Sequence, residues 1–156
     1  MLLWLLERMV IPKSLYETVR QRALFRCEYC HYPELLSSAP LSIDHIQPQS
    51  LGGRDDLNNL ALACRRCNER RYNFTTGVDP ETGEEVPLFN PRQQIWSEHF
   101  IWSVDALKIM GITPSGRATC NRLDLNDERR KEPFIQNARQ QWIAAQLHPP
   151  TDDPRQ

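Results

Sequence analysis

The sequence has no long hydrophobic run, which argues against a membrane-spanning segment. Residues 1–10 are mostly apolar, but Glu7 and Arg8 interrupt them, and a spanning helix needs about 20 apolar residues. The same stretch lacks the basic leading segment and the small-residue cleavage site of a signal peptide. We therefore expect a cytoplasmic protein, in a reducing compartment and without a membrane partner.

The chain also lacks an excess of charge and is poor in glycine. Its formal net charge is −1, so any binding to nucleic acid must depend on a local patch rather than on total charge. Six glycines against twelve prolines indicate turns that are fixed by proline. Neither an internal repeat nor a low-complexity segment is present, and 156 residues suit a compact core with an extension.

Five cysteines are an odd number, and four of them form two Cys-x-x-Cys pairs. The pairs are Cys27 with Cys30 and Cys64 with Cys67, and in a reducing compartment this pattern favours a metal site over disulfides. Four thiolates complete a tetrahedral Zn²⁺ site, which would contribute folding free energy directly. The remaining Cys120 is expected to be a small buried apolar side chain.

A competing pattern overlaps the first cysteine pair. Cys27-Glu-Tyr-Cys30-His31 also fits the attachment motif of c-type haem. Haem attachment requires export, which residues 1–10 do not support, and it would leave the second cysteine pair without a role. The zinc interpretation is therefore preferred, and His31 is expected to be a surface residue beside the metal site.

The segment between the cysteine pairs predicts a strand–loop–strand–helix unit. Residues 41–46 and 60–64 are short apolar runs typical of strands, and residues 47–58 between them are rich in turn-forming residues. Residues 65–72 are basic and compatible with a helix. A further helix is expected to begin near Ser14.

Downstream of this unit, prolines and glycines predict that residues 73–91 form a loop. Residues 98–104 and 107–112 predict a hairpin, and Thr113-Pro114 suits the N-cap and first turn of a helix. The aromatic side chains near this hairpin are expected to pack the extension onto the core rather than to stack on bases. A last helix is expected over 126–147, with a break or kink caused by a proline at position 133.

Four polar residues accompany the strand–loop–strand–helix unit: Asp44, His45, Asn59 and Asn68. A hairpin followed by a helix brings the end of the first strand beside the start of the helix, so Asp44, His45 and Asn68 can converge. Carboxylate and amide oxygens suit a hard cation such as Mg²⁺. An imidazole suits proton abstraction near neutral pH.

As a set, these residues resemble the HNH endonuclease family. The core of the resemblance consists of Cys27-x-x-Cys30, Ile43-Asp44-His45-Ile46-x-Pro48, Gly52-Gly53, Asn59-Leu60 and Cys64-Arg-Arg-Cys67-Asn68. Flanking segments resemble a bacterial zinc-containing subgroup; they are Val19-Arg20-x-Arg22-Ala23, Arg26-Cys27-Glu28-Tyr29-Cys30, Pro87-Leu88-Phe89-Asn90-Pro91-Arg92, Trp96-x-x-His99-Phe100 and Gly116-Arg117-Ala118-Thr119.

The resemblance implies an α+β fold with a ββα-metal core held together by the four-cysteine zinc site. The core would comprise residues 27–73, after an N-terminal helical segment, 1–26. Residues 74–147 would form a C-terminal extension of a hairpin and helices packed on the core. Residues 148–156 are expected to be a disordered tail.

The resemblance also implies roles for the polar residues. His45 would be the general base, and Asn59 would hold the loop between the strands and so orient His45. Asp44 and Asn68 would bind a catalytic divalent cation, Mg²⁺ or Mn²⁺. Many family members carry a second histidine where this chain has Asn68, which makes it a His-Asn-Asn variant. The implied reaction is hydrolysis of DNA phosphodiester bonds with little sequence specificity.

The predicted helix carries a local positive charge. Its four arginines against one glutamate give an excess of three charges, which is expected to bind the phosphates of double-stranded DNA. Cleavage of both strands would favour a homodimer. The alternative is a zinc-dependent nucleic-acid-binding module on the same scaffold that does not cut. The arginines are Arg65, Arg66, Arg70 and Arg71.

Overall fold

The computed structural model describes residues 11–151, so the apolar segment 1–10 and the last five residues of the expected tail lie outside the described residues. Within residues 11–151 the chain forms five α-helices and three two-stranded antiparallel sheets. This mixed architecture confirms the predicted α+β class. None of the helices in this range has the length and apolar character needed to cross a membrane.

The first helix, α1, extends over Lys13–Arg22, where a helix was predicted to begin. Val19 is fully buried on its inner face, while Arg20 on the outer side pairs with Glu17 and Glu34. Two basic residues in its last turn, Arg20 and Arg22, interact favourably with the carbonyl end of the helix. The chain then turns directly into the first cysteine pair.

The predicted strand–loop–strand–helix unit is confirmed. Strand β1, Ser42–His45, pairs antiparallel with β2, Leu60–Ala63, in a register that places Ser42 opposite Ala63 and His45 opposite Leu60. All four side chains of β2 are buried. Helix α2, Arg65–Arg71, follows β2 after one residue. The sheet and helix thereby bring the end of β1 beside α2, and the two elements are in contact.

The residue that follows helix α2 has an uncommon backbone conformation. Tyr72 has φ 46° and ψ −124°, the angles of the first central residue of a type II′ turn, where glycine dominates. Strained backbone of this kind costs a non-glycine residue about 1–3 kcal/mol. The Tyr72 amide still donates to the Asn68 carbonyl at 3.0 Å, so the backbone of Tyr72 is held one helical turn after Asn68.

The loop predicted over residues 73–91 is wrong in part. Strands β3, Thr76–Val78, and β4, Glu85–Pro87, form a short antiparallel hairpin within it. Each strand has three residues, too few to show a periodic pattern, and Pro87 lies at a strand end where no ladder donor is needed. The buried carboxylate of Asp79 organises the turn by accepting from the Glu81 amide at 3.0 Å and the Thr82 hydroxyl at 3.1 Å.

The second hairpin is confirmed, although its strands are shorter than predicted. A four-residue helix, α3, occupies Trp96–His99, and it precedes β5, Phe100–Trp102, which pairs with β6, Ile109–Gly111. Helix α4, Pro114–Leu123, begins as predicted, with the Thr113 hydroxyl accepting from the Gly116 amide at 3.0 Å. Glycine is required at position 116 because a Cβ there would lie 2.1 Å from the His99 carbonyl oxygen.

The last helix is shorter than the predicted range 126–147. Helix α5 extends over Phe134–Ala144, so of the predicted break or kink at Pro133 the structure has the break, and the helix begins only after this residue. Proline lacks an amide donor and suits the first turn. The disorder predicted from residue 148 onward is wrong at its first residue. His148 is buried, and its Nε2 lies 2.8 Å from the Ala106 carbonyl oxygen.

The aromatic side chains near the second hairpin pack in the core, as predicted. Trp96 and Phe100 are almost fully buried, and their ring centroids are 5.1 Å apart. The surface position predicted for His31 is wrong, since only 4% of it is exposed. Its ring centroid lies 4.3 Å from that of Trp96. An aromatic neighbour 65 positions away could not be inferred from the cysteine pattern.

Candidate functional site

The four paired cysteines form one buried cluster. Their Sγ atoms all lie within 4.8 Å of one another, and those of Cys30 and Cys64 are 3.6 Å apart. None of these cysteines is in a disulfide. Four sulfurs at about 2.3 Å from a tetrahedral ion are separated by just under 4 Å, so the cluster can hold a structural metal ion.

The electrostatics of the cluster fit a cation. Burial raises the pKa of the Cys27 thiol well above its ordinary value, whereas hydrogen bonds from Cys27, Cys64 and Cys67 hold the pKa of Cys30 well below it. A lowered pKa at Cys30 favours the thiolate, which is the form of cysteine that binds a metal ion. A bound cation would favour the deprotonated form of the neighbouring cysteines as well.

Two hydrogen bonds of Glu28 fix the turn that carries Cys27 and Cys30 against β2. The Glu28 amide donates to the Leu62 carbonyl oxygen at 2.8 Å, and the Leu62 amide donates to Glu28 Oε2 at 2.8 Å. The Glu28 carboxylate also binds Arg92 of the extension. The cysteine cluster therefore joins three parts of the chain: the turn after α1, the end of β2 and the start of α2.

His45 lies at the end of β1 and lines an open cleft of about 770 Å³. Its Nε2 is 2.7 Å from Asp55 Oδ1, and its side chain is 17% exposed. If Nε2 carries the proton that Asp55 accepts, Nδ1 is the nitrogen with a free lone pair. Asp55 lies in the loop between β1 and β2, and the sequence analysis did not identify it.

Asn59 binds that loop through both ends of its amide group. Its Oδ1 accepts from the Gln47 amide at 2.7 Å, and its Nδ2 donates to the Gln47 carbonyl at 3.1 Å and the Arg54 carbonyl at 2.9 Å. Gly53 must approach this clamp closely, because a Cβ there would lie 1.7 Å from the Gln47 carbonyl oxygen. These bonds fix the loop that carries Asp55, and Asp55 is the hydrogen-bond partner of His45.

Asp44 lines the same cleft but is largely buried, with 3% exposed. Tyr29 donates its hydroxyl to Oδ2 at 2.5 Å, and Arg71 Nη1 lies 3.1 Å from Oδ1 and 3.0 Å from Oδ2. A carboxylate has about four acceptor positions, so one remains on Oδ1. Breaking a buried ion pair of this kind costs about 3–5 kcal/mol.

Asn68 completes the set of polar groups at the cleft. It lies on α2, is partly exposed, and lines the cleft with Asp44 and His45. Among the described residues its side chain has no hydrogen-bond partner. The structure thus brings together Asp44, His45 and Asn68, while Asn59 acts on the loop beside them. The amide and carboxylate oxygens are ligands that suit a hard divalent cation. The imidazole beside them can act as a proton acceptor.

The four arginines of α2 do not share one surface. Arg71 is buried against Asp44 and donates to the His45 and Ile46 carbonyl oxygens. Arg66 and Arg70 both bind the buried carboxylate of Asp127, at 2.6 and 3.0 Å. Arg65 is the exposed one, with 88% of its side chain accessible and a 2.7 Å contact to Glu69.

Two residues that the sequence analysis left aside lie away from the cleft. His99 Nδ1 is 2.7 Å from the Thr113 hydroxyl, so it supports the cap of α4. Cys120 is half-buried, its Sγ lies 3.7 Å from the Ile109 carbonyl oxygen, and burial raises the pKa of its thiol to about 12. It therefore remains a thiol at neutral pH.

The central segment of the chain matches a known protein family. Residues 27–74 match the family model HNH endonuclease. This segment is similar to HNH endonucleases. The match confirms the resemblance inferred from the motifs and indicates a nuclease-type function. No curated protein and no solved structure matches the chain.

Sequence reasoning missed Asp55 and Tyr29 as partners of the HNH motif residues, and it expected Arg71 to bind DNA instead of a motif residue. Asp55 holds His45, whereas Tyr29 and Arg71 hold Asp44. A signal for Asp55 existed in the sequence, since a carboxylate follows the Gly52-Gly53 turn inside the loop that Asn59 was expected to hold. No local pattern indicates Tyr29, because it reaches Asp44 from 15 positions away.

Proposed function

We propose that this protein is a metal-dependent HNH endonuclease that hydrolyses DNA phosphodiester bonds with little sequence specificity. The observation that carries the proposal is the convergence of Asp44, His45 and Asn68 on one cleft inside the segment that matches the HNH model. A binding module would need neither a proton acceptor nor hard-cation donors at that place.

In the proposed mechanism His45 accepts a proton from the attacking water. The bond from Nε2 to Asp55 leaves Nδ1 as the basic nitrogen and stabilises the imidazolium formed during attack. Asn59 keeps the loop closed around this pair, so the imidazole needs little reorganisation when it accepts the proton. The imidazole and Asp55 together thus orient and activate the nucleophile.

Asp44 and Asn68 are proposed to hold a divalent cation, Mg²⁺ or Mn²⁺. When bound, the cation would supply positive charge to the leaving 3′ oxygen. Tyr29 and Arg71 keep the Asp44 carboxylate in one orientation and leave one acceptor position of Oδ1 without a partner in the described part of the chain. Such outer partners of a metal ligand commonly affect metal affinity by 10- to 100-fold.

The second metal ion is proposed to be Zn²⁺ in the cysteine cluster, where it is structural. Four closely spaced sulfurs with no additional ligand position are typical of structural zinc. The five free cysteines support a reducing, cytoplasmic location. Arg65 is the α2 arginine best placed for a phosphate contact, and Arg66, Arg70 and Arg71 would support the helix from within. A homodimer would allow both strands of double-stranded DNA to be cut.

The experiment that tests this proposal is plasmid nicking. Wild-type protein with Mg²⁺ or Mn²⁺ is expected to nick supercoiled DNA, EDTA is expected to stop nicking, and His45→Ala is expected to lose at least 100-fold in rate. Zinc content and melting temperature of the variant should match the wild type. Equal nicking by His45→Ala would refute the mechanism, and DNA binding without any nicking would favour the binding module.

A further inference from the structure

An aromatic side chain stands at the rim of the candidate catalytic cleft. Tyr72 lines the cleft together with Asp44, His45 and Asn68, and its amide is bonded to the Asn68 carbonyl at 3.0 Å. The backbone of Tyr72 is thus fixed one helical turn after a proposed cation ligand. None of the roles described above uses it.

Tyr72 is both exposed and conformationally costly. It is 68% exposed, so core packing does not explain a large ring at this position. Its backbone adopts φ 46° and ψ −124°, where glycine is the favoured residue. Stability alone would select a glycine here, and strained residues of this type cluster at functional sites.

The ring has support on one side. Phe74 lies beside it with ring centroids 6.5 Å apart in an edge-on arrangement. The guanidinium of Arg122 in α4 lies 3.8 Å from the Phe74 ring centroid, a cation–π contact that joins this aromatic pair to the extension. A backed ring with an accessible face is the form of side chain on which nucleobases stack.

We propose that Tyr72 stacks on an unpaired nucleobase next to the scissile phosphate, which makes single-stranded or locally unpaired DNA the preferred substrate. This inference rests on the nuclease function proposed above. A base inside a duplex has both faces covered by its neighbours, so an aromatic side chain reaches a base face only where the stack is interrupted. Stacking at Tyr72 would hold the strand while the adjacent phosphate lies in the cleft.

The test compares two variants on two probes. Tyr72→Gly removes the ring and suits the backbone angles, whereas Tyr72→Phe keeps the ring. The probes are a fluorescein-labelled 15-nucleotide DNA strand and the same sequence as a duplex, with binding measured by anisotropy in the His45→Ala background. Loss of one stacked base is expected to weaken single-strand binding by about tenfold or more, with duplex binding unchanged.

The stability of the same proteins separates stacking from a structural role. Tyr72→Gly is expected to melt at the same temperature as the parent or higher, and Tyr72→Phe should bind like the parent. Phe134→Ala removes another exposed ring, on α5, and should change the binding of neither probe. In the cleaving protein, Tyr72→Gly should lower kcat/KM for the single strand and not for the duplex.

Two results would count against the proposals, and they differ. Equal single-strand binding by Tyr72→Gly and its parent would overturn the stacking inference and leave the nuclease proposal intact. A protein that never cleaves either probe, yet loses single-strand affinity with the ring, would overturn the nuclease function and retain the stacking contact.

Discussion

The hydrogen bond between His45 and Asp55 allows the orientation of the imidazole to be tested without removing the imidazole itself. We expect Asp55→Ala to lower kcat by about 10- to 100-fold with little change in KM, because the imidazole loses the partner that fixes its tautomer. Asp55→Asn should restore part of the rate, since an amide oxygen can accept the same bond. The measurement is steady-state cleavage in Mg²⁺.

The neighbouring carboxylate provides the control for this prediction. Asp56 is exposed and its side chain makes no capping bond, so Asp56→Ala should cleave like the wild type. A drop of the same size in both variants would indicate a general effect of loop charge, and the positioning role of Asp55 would then be wrong.

At the scale of elements, the β3–β4 hairpin is joined to α4 by one buried carboxylate. Asp79 accepts from Arg117 Nε at 2.9 Å and Nη2 at 2.8 Å. The Arg117 guanidinium, with help from the Glu81 amide and the Thr82 hydroxyl, holds the pKa of Asp79 well below its ordinary value. Asp79 therefore favours the folded state in its ionised form.

This ion pair predicts a pH dependence of stability. Because the folded-state pKa of Asp79 is lowered, its stabilisation is complete above the unfolded value of about 4 and is lost as the pH falls below it. Asp79→Asn should therefore melt several degrees below the wild type at pH 7. This difference in melting temperature should become smaller between pH 4 and pH 3. Melting is followed by circular dichroism.

Glu81 supplies the matched control, since it binds the same guanidinium at 3.1 Å but is 69% exposed. Exposed ion pairs contribute little, so Glu81→Gln should stay close to the wild type at every pH. If the difference in melting temperature between Asp79→Asn and the wild type is the same at pH 3 as at pH 7, the assigned role of this carboxylate is wrong.

Elements were predictable where chemistry or periodicity marks them in the sequence. The motif residues Cys64, Cys67 and Asn68 lie at the start of α2, and the Thr113-Pro114 cap marks α4. The β3–β4 hairpin was not predicted, because three-residue strands show no periodic pattern and the turn between them depends on Asp79. At the site, the motif located the cleft residues, whereas Tyr29 and Arg71 are tertiary contacts that no local pattern reveals.

For the whole molecule, the cysteine cluster is expected to determine whether the chain folds. It joins the turn after α1 to β2 and α2, and its first and last donors, Cys27 and Cys67, are 40 positions apart in the sequence. Removing the ion with a strong chelator should lower the melting temperature by more than about 10 °C, since structural zinc contributes folding free energy directly. Mass spectrometry of the untreated protein should show one zinc ion per chain.

Cysteine variants complete this test. Cys64→Ala should abolish zinc binding and destabilise the fold to a similar extent as the chelator. Cys120→Ala removes a thiol of the extension and should retain the full zinc content. An unchanged melting temperature after complete zinc removal would show that the apolar core suffices for folding.

Cys67 and Asn68 are consecutive residues of α2, and this adjacency couples two centres that serve different purposes. A seven-residue helix is only about 10 Å long, and here it also carries Arg71, which fixes Asp44. A transfer of the proposed catalytic residues to another scaffold would therefore have to include the cysteine cluster. A substitution in α2 that changes one of the two proposed metal sites should be tested for its effect on the other.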